Sequence, residues 1–265
     1  MAVSLDALAR DWDDESSGLE SILRGLAAED WNLPTPAAGW AVRHQVAHLT
    51  WTDKALHSAL TAPDDFETLR ARVAADAGAV VGDAAEAGTG VAPGALLDGW
   101  VAGRRLTAGA ILAAEPSRRI PWFGPPMGLA AAVTARIMET FAHGQDIRDA
   151  LSLSPSPSPR LRHIAHLAVA ARDYSFGING LQAPTERIRV ELSHDAESWS
   201  WGPEDAEQFV RGDALDFALL ATRRRHRDDC DVRAQGVDAV QWLSIAQAYA
   251  GPPGTGRARL RAASA

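Results

Sequence analysis

The sequence has few of the features that mark secreted or membrane-spanning proteins. Its 265 residues include a single cysteine, Cys230, so no intrachain disulfide can form and a reducing compartment fits. Uncharged apolar runs all fall short of the roughly 18 residues that span a bilayer. Acidic residues between Asp6 and Glu15 interrupt any apolar core of a signal peptide. We therefore expect a cytoplasmic protein without membrane contact.

Lysine is almost absent as well. Lys54 is the only one, arginine, alanine and glycine are frequent, and the formal net charge is −8, a bias that indicates a GC-rich, actinobacterial genome. Nucleic-acid binders carry a concentrated basic face, so this charge balance argues against a nucleic-acid partner. One basic cluster, residues 223–227, is followed directly by Asp228 and Asp229. Both a solvated helix end and an anion-binding pocket are open interpretations of this cluster.

Apolar residues recur with helical spacing through the first half of the chain. Proline and glycine interrupt the pattern between helices, and the segment 120–127 is a stiff connection with three prolines and two adjacent aromatic residues. The spacing predicts helices over about 4–27, 42–60, 65–86, 93–115 and 129–151. Long helices with short connections are typical of an up-down helical bundle.

The alternating Ser-Pro segment at 152–159 divides the chain, because it cannot continue a helix. We therefore predict a helical domain over 1–151, a linker over 152–160 and a second domain over 161–265. Period-two alternation at 188–192 and 198–201 predicts a β-hairpin. Helices are predicted over 161–175, 214–225 and 237–249, with a short strand at 231–234, so the second domain is α+β.

Polar residues within the last helix of the first half lie on one stripe. Glu139, His143 and Asp146 are spaced so that they share one helical face, and His48 lies on an earlier helix. Two imidazoles and one carboxylate can hold a divalent cation with a coordination position left open. The same spacing also occurs in simple polar pairs one turn apart. Geometry alone also allows a rival pair of ligands, His44 and His48.

Two phrases of the sequence carry a resemblance to a known family. The segment 39–49, Gly-Trp-Ala-Val-Arg-His-Gln-Val-Ala-His-Leu, and the segment 138–147, Met-Glu-Thr-Phe-Ala-His-Gly-Gln-Asp-Ile, resemble the signatures of the DinB-like superfamily. The closer resemblance is to its mycothiol-dependent maleylpyruvate isomerase branch. It implies a divalent metal, most simply zinc, held by His48, Glu139 and His143, with His44 outside the ligand set. Asp146 is then expected to orient a ligand imidazole.

The resemblance extends to the second half of the chain. The segments 199–206 and 212–217 are similar to an uncharacterised actinobacterial subgroup of these metal-binding proteins. Related isomerases carry a second domain with a sterol-carrier-like α+β fold, and an arginine from its late helix takes part in catalysis. Arg224, or else Arg223, is the matching residue here.

Three functions fit these expectations. The first is an enzyme that uses the metal and mycothiol, a low-molecular-weight thiol, to isomerise or S-conjugate a small electrophilic substrate. The second is a metal-dependent hydrolase or lyase in which bound water reacts. The third is a small-molecule binding protein with a structural metal, in which Trp199 and Trp201 line an apolar pocket. Those two tryptophans also fit ordinary packing of a sheet against the helix predicted at 214–225.

Overall fold

The computed structural model describes residues 3–260. The chain divides into two compact units, Met1–Ser154 and Pro155–Ala265. The first unit is helical, and the second combines helices with a small mixed sheet. Within the described residues, no helix has both the length and the apolar character needed to cross a membrane.

The first unit contains the predicted helical bundle. Helix α1 begins at the residue after Ser4, whose hydroxyl accepts a hydrogen bond from the backbone N–H of Ala7. Helix α2 packs against α5 and α6, and α1 packs against the same two helices. The helices of this unit are α1 (Leu5–Arg24), α2 (Val42–Thr61), α3 (Pro63–Ala75), α4 (Ala77–Ala87), α5 (Pro93–Ala113) and α6 (Leu129–Ala150).

The prediction of a single helix over 65–86 is wrong, because the helix is interrupted at Asp76. The backbone of Asp76 is extended, with φ −156° and ψ 90°, and its carboxylate accepts a hydrogen bond from the N–H of Ala79. Asp76 thus ends α3 and caps the start of α4. The apolar pattern of the sequence continues across Asp76 without interruption. The boundary between the two helices depends on one capping side chain, so the pattern could not reveal it.

The stiff connection between α5 and α6 contains a short antiparallel pair of strands, β1 (Arg119–Ile120) and β2 (Met127–Gly128). Between them, Trp122 and Phe123 both contact the ring of the buried Phe66 on α3, at 5.8 and 5.2 Å between ring centroids. The connection is therefore held against the bundle by aromatic packing.

The second unit has the α+β character expected from the sequence, and the predicted hairpin is confirmed by the antiparallel pairing of β3 with β4. The sheet order is β4-β3-β5-β6, in which β3 and β5 are parallel. The elements are α7 (Leu161–Ala170), α8 (Arg172–Ile178), β3 (Ile188–His194), β4 (Glu197–Trp201), β5 (Gln208–Asp213), α9 (Ala214–Ala221), β6 (Val232–Gln235) and α10 (Val237–Ile245). A sterol-carrier-like relationship remains a prediction.

Four expectations for this unit need correction. Helix α9 ends at Ala221, four residues before the end of the helix predicted over 214–225. The helix predicted over 161–175 is two helices, α7 and α8, which meet at Ala171. Helix α10 ends at Ile245, four residues earlier than expected. Strand β5 was not predicted, because its two apolar residues, Phe209 and Val210, are adjacent and do not alternate. Backbone hydrogen bonds to β3 on one side and β6 on the other stabilise it as a strand.

Trp199 is buried in the second unit beside residues of the sheet, and its packing against the helix predicted at 214–225 remains a prediction. Its ring lies 5.0 Å from that of His194, and its indole N–H donates to Glu197. Trp201 is half-buried and donates to Nδ1 of His166 on α7. Each indole therefore has a hydrogen-bond partner within the same unit.

Candidate metal centre

His44 and His48 lie one turn apart on α2, but the structure gives them different roles. Nδ1 of His44 accepts a hydrogen bond from the N–H of Ala41 at 2.9 Å, and its Nε2 lies 3.2 Å from Oε2 of Glu86. His44 thus caps its own helix and pairs with an exposed carboxylate. His48, 9% exposed, points instead toward α6.

Three side chains from α2 and α6 form the cluster that the sequence predicted. Oε2 of Glu139 lies 3.2 Å from Nε2 of His143 and 3.6 Å from Nε2 of His48. One potential ligand atom from each residue lies within 4.8 Å of the other two. Glu139 and His143 are one turn apart on α6, so one helix supplies two members of the cluster and α2 supplies the third.

Gln45 fixes the orientation of the His143 ring. The hydroxyl of Thr35 donates its one proton to the carbonyl of Trp40 at 2.8 Å, so toward Gln45 it can only accept. The Gln45 amide nitrogen therefore faces Thr35, at 2.8 Å, and Oε1 faces Nδ1 of His143 at 2.6 Å. The proton of His143 thus lies on Nδ1, which leaves Nε2 with a lone pair directed at the cluster.

Sequence reasoning assigned this orienting role to Asp146 and missed Gln45. The carboxylate of Asp146 is buried, and its Oδ2 lies 3.9 Å from Nδ1 of His143, farther than the Gln45 oxygen. Gln45 lies three residues before His48, on the same face of α2. That spacing, inside a segment rich in polar residues, is the sequence feature from which a role for Gln45 beside His48 could have been predicted.

The pair of Arg136 and Asp53 lies next to Glu139, and the sequence analysis did not predict it. Arg136, only 4% exposed, places Nη2 4.0 Å from Oε1 of Glu139 and Nη1 3.9 Å from Oδ1 of Asp53. The other Asp53 oxygen accepts the indole N–H of Trp100 at 3.0 Å. The two oxygens of Glu139 therefore face different groups, Oε2 the two imidazoles and Oε1 the guanidinium.

The buried carboxyl group of Asp53 and the half-buried one of Glu139 respond oppositely to this environment. Burial raises the pKa of Asp53 to about 7, against the opposing charge of Arg136 and the hydrogen bond from Trp100. Burial also opposes ionisation of Glu139. The interactions of Glu139 with His143 and His48 and the charge of Arg136 outweigh it, and together they hold the pKa of Glu139 well below its usual range. Glu139 is therefore a carboxylate at neutral pH.

Half-buried aromatic rings surround the two imidazoles. The Trp40 ring is stacked near that of His143, 6.2 Å between centroids, and lies 5.3 Å from that of His48. On the other side of His48, the Trp51 ring lies at 5.9 Å and stacks on Phe123 at 5.8 Å. These rings give the cluster apolar walls, which lower the local dielectric and strengthen electrostatic interactions inside it.

The cluster fits a divalent cation. Bonds of about 2.0–2.2 Å in a tetrahedral arrangement place ligand atoms roughly 3.3–3.6 Å apart. The two separations from Oε2 of Glu139, 3.2 and 3.6 Å, are close to that spacing. A carboxylate between two imidazoles is also a donor set that borderline cations prefer, and the hydrogen bond from His143 Nδ1 supplies the outer contact that metal-binding histidines usually make.

Arg224 belongs to the second unit, where its Nη1 donates to the carbonyl of Thr222 at 2.8 Å. A role for it beside the metal centre remains a prediction.

A two-histidine, one-carboxylate cluster between helices of a bundle defines a class of metal-binding helical proteins. Residues 12–148 match the family model described as the mycothiol maleylpyruvate isomerase N-terminal domain. The chain belongs to this family, within the DinB-like superfamily, as the sequence phrases indicated.

Relatives along the whole chain are similar but uncharacterised. Uncharacterized proteins from two strains of Mycobacterium tuberculosis are 46% identical to this chain over 244 residues, which covers 92% of this chain and 95% of theirs. Crystal structures of a mycothiol-dependent maleylpyruvate isomerase, and of a histidine-to-alanine mutant of it, match with a TM-score of 0.60 at 14% identity. The match covers 89% of this chain and 96% of those chains, and it shows a shared fold.

Proposed function

We propose that this protein is a metal-dependent enzyme of the mycothiol-dependent isomerase or S-transferase type, acting on a small electrophilic substrate. The observation that carries the proposal is the Glu139 carboxylate held between His48 and His143, in a member of the maleylpyruvate isomerase family. These three residues would hold one divalent metal ion, most simply zinc. When bound, such an ion lowers the pKa of a coordinated thiol, so that the thiolate is present at neutral pH.

The chain's own residues support this chemistry in distinct ways. Gln45 keeps the proton of His143 on Nδ1, and the ionised Glu139 contributes one negative charge. Three protein ligands in a tetrahedral site leave a position for an exogenous group, which is the arrangement of catalytic rather than structural zinc. The rings of Trp40 and Trp51 would pack against the substrate and exclude water.

The residues outside the cluster keep the roles expected from the sequence. Asp146 would assist Gln45 in holding His143, and Arg224 would steady a carboxylate or a developing enolate of the substrate. The protein's own thiol is unsuited to act as nucleophile, because burial and the nearby Asp216 raise the pKa of Cys230 to about 12. In the proposed reaction the thiol would therefore come from solution.

Metal content tests the ligand set directly. We expect about one divalent ion per chain in the purified protein, and its loss in His48→Ala and His143→Ala. His57→Ala, on the same helix but outside the cluster, is the matched control and should keep the metal. A metal-free wild type of normal stability would overturn the proposal.

Thiol dependence separates the proposed chemistry from its rivals. Mycothiol, but not glutathione, should support turnover of a model electrophile. Isomerisation returns the thiol, whereas S-transfer consumes it, so thiol titration identifies the reaction type. Turnover that is indifferent to any thiol indicates a hydrolase or lyase with metal-bound water. Tight binding of apolar ligands without turnover indicates a binding protein.

A further inference from the structure

A buried arginine lies directly beside the proposed metal cluster. Arg136 is on α6, one turn before Glu139, and it is only 4% exposed. Its Nη2 lies 4.0 Å from Oε1 of Glu139. A guanidinium has no lone pair to give to a cation, so Arg136 is not a ligand. Arginine is almost never buried so deeply unless its charge is paired, and the groups that pair with it indicate its role.

Three elements of the first unit surround the guanidinium. Helix α6 contributes Glu139, and α2 contributes Asp53, whose Oδ1 lies 3.9 Å from Nη1 of Arg136. Trp122, in the connection between β1 and β2, places its ring centroid 5.8 Å from Cζ of Arg136. This distance is within the range of a cation–π interaction. Contacts from several sides therefore restrict the position of the Arg136 side chain.

Asp53 is fixed in turn by α5. Its Oδ2 accepts the indole N–H of Trp100 at 3.0 Å, and its backbone carbonyl accepts the hydroxyl of Thr107 at 3.2 Å. Because Oδ2 is engaged by α5, Oδ1 is the oxygen that remains for Arg136. A row of contacts thus leads from α5 through Asp53 and Arg136 to the outer oxygen of Glu139.

The two oxygens of Glu139 are therefore not equivalent. Oε2 lies 3.2 Å from Nε2 of His143 and 3.6 Å from Nε2 of His48, whereas Oε1 faces Arg136. A carboxylate with two free oxygens can donate both of them to one cation. The positive charge beside Oε1 opposes this, because it attracts that oxygen and repels a cation that approaches it.

Stability alone does not account for this arrangement. The separations of 3.9 and 4.0 Å between Arg136 and the two carboxylates are longer than hydrogen bonds. Nη1 of Arg136 is buried without a hydrogen-bond partner among the described residues. A buried donor without a partner destabilises the folded state. What the guanidinium provides is a positive charge at a fixed place beside Oε1 of Glu139.

We propose that Arg136 is a positioning residue of the metal centre, which holds Oε1 of Glu139 so that only Oε2 binds the ion. The inference rests on the proposed function and explains how the site keeps a free position. Glu139 then gives one oxygen, and each imidazole gives one nitrogen. The position that Oε1 would otherwise occupy stays open for an exogenous group, as catalytic sites require.

Titration of the cobalt(II)-substituted full chain with imidazole tests this role, because imidazole is an uncharged ligand and its binding shifts the visible bands of cobalt. The wild type should bind imidazole saturably. Arg136→Met removes the charge and frees Oε1 to compete for the open position. Its apparent dissociation constant for imidazole should therefore rise about tenfold or more. Arg136→Lys keeps the charge and should bind imidazole nearly as the wild type does.

Arg104→Met is the matched control. Arg104 is also a buried arginine of the first unit, 2% exposed, and its Nη2 pairs with Asp13 and Glu20 on α1, outside the cluster. The loss of this buried charge should leave imidazole binding unchanged. Circular dichroism shows whether Arg136→Met is folded, and Arg136→Leu replaces it if it is not.

The possible failures are distinguishable. Equal imidazole affinities of the wild type and the folded, uncharged Arg136 variant would overturn the role of Arg136. So would an equal loss of affinity in Arg104→Met, or a cobalt-loaded wild type whose bands do not respond to imidazole. A wild type that takes up no cobalt contradicts the proposed function itself.

Discussion

At the residue scale, the chemistry of the proposed metal centre depends on which nitrogen of His143 carries the proton. The amide of Gln45 decides this, because Thr35 and the carbonyl of Trp40 fix the direction of that amide. Asp146 approaches the same nitrogen from its own helix, at 3.9 Å. Substitution of each residue shows which of the two, Gln45 or Asp146, contributes more to metal affinity.

We predict that Gln45→Leu lowers metal affinity about 10–100-fold, the usual cost of losing an outer-sphere partner of a histidine ligand. Asp146→Asn should cost less, because its contact with Nδ1 is longer. Competition with a chromophoric chelator measures both affinities. A larger loss of metal affinity in Asp146→Asn than in Gln45→Leu would support the sequence-based prediction that Asp146 orients the imidazole.

A second prediction concerns the pH dependence contributed by Asp53. Its pKa is about 7 in the folded protein, raised chiefly by burial, against an ordinary value of 3.8. Between those values the native state binds a proton that the unfolded state does not. The stability contributed by this group is therefore complete below about pH 4 and is lost as the pH rises toward 7.

Asp53→Asn cannot titrate, so the comparison isolates this group. The free energy of unfolding of the wild type should fall relative to that of the variant between pH 5 and pH 7, by at most about 1.4 kcal/mol per pH unit. Urea denaturation at pH 5, 6, 7 and 8 provides the measurement. Parallel curves for the two proteins would show that the Asp53 pKa is not raised.

At the scale of elements, α2 is held in place by close contacts beside the metal-binding face. Gly88, in the 3₁₀ turn Gly88–Gly90 after α4, packs directly against Ala47. Ala47 precedes His48, so this contact fixes the helix next to one proposed ligand. A Cβ added at Gly88 would lie 2.3 Å from Cβ of Ala47.

We expect Gly88→Ala to destabilise the protein by about 1–3 kcal/mol through overpacking. Gly90→Ala is the matched control, since an added Cβ there meets nothing within 4 Å. Its effect should remain within about 0.5 kcal/mol. Urea denaturation followed by far-UV circular dichroism compares them, and equal stabilities of the two variants would contradict the packing argument.

The elements also show where sequence patterns suffice. The long helices α1, α2, α5 and α6 were predicted from apolar residues at helical spacing. Helix α1 buries one face, whereas α2 and α6 are buried on most sides. The break between α3 and α4 did not follow, since it depends on one capping aspartate at position 76 within an unbroken apolar pattern. Strand β5 was missed because pairing on both sides, rather than its own alternation, stabilises it.

At the scale of the whole molecule, the chain is two compact units, and the proposed metal lies in the first. A ligand that binds only the native state stabilises it by RT ln(1 + [L]/Kd), about 2.7 kcal/mol at 100 times Kd. Hydrogen exchange measured by mass spectrometry can therefore locate the metal.

We predict that zinc added to chelator-treated protein slows exchange in peptides from α2 and α6. His143→Ala should abolish this effect. Slowing by zinc confined to the second unit would contradict the ligand set at His48, Glu139 and His143.

The sequence by itself determined the helical first half, the α+β second half and the family, and it singled out the cluster of His48, Glu139 and His143, for which metal binding is proposed. It could do so because periodicity and local phrases are properties of neighbouring residues. Only the tertiary structure decided which groups surround that cluster. Gln45, Arg136 and Asp53 belong to it through contacts between different helices, and such contacts leave no periodic trace in the sequence.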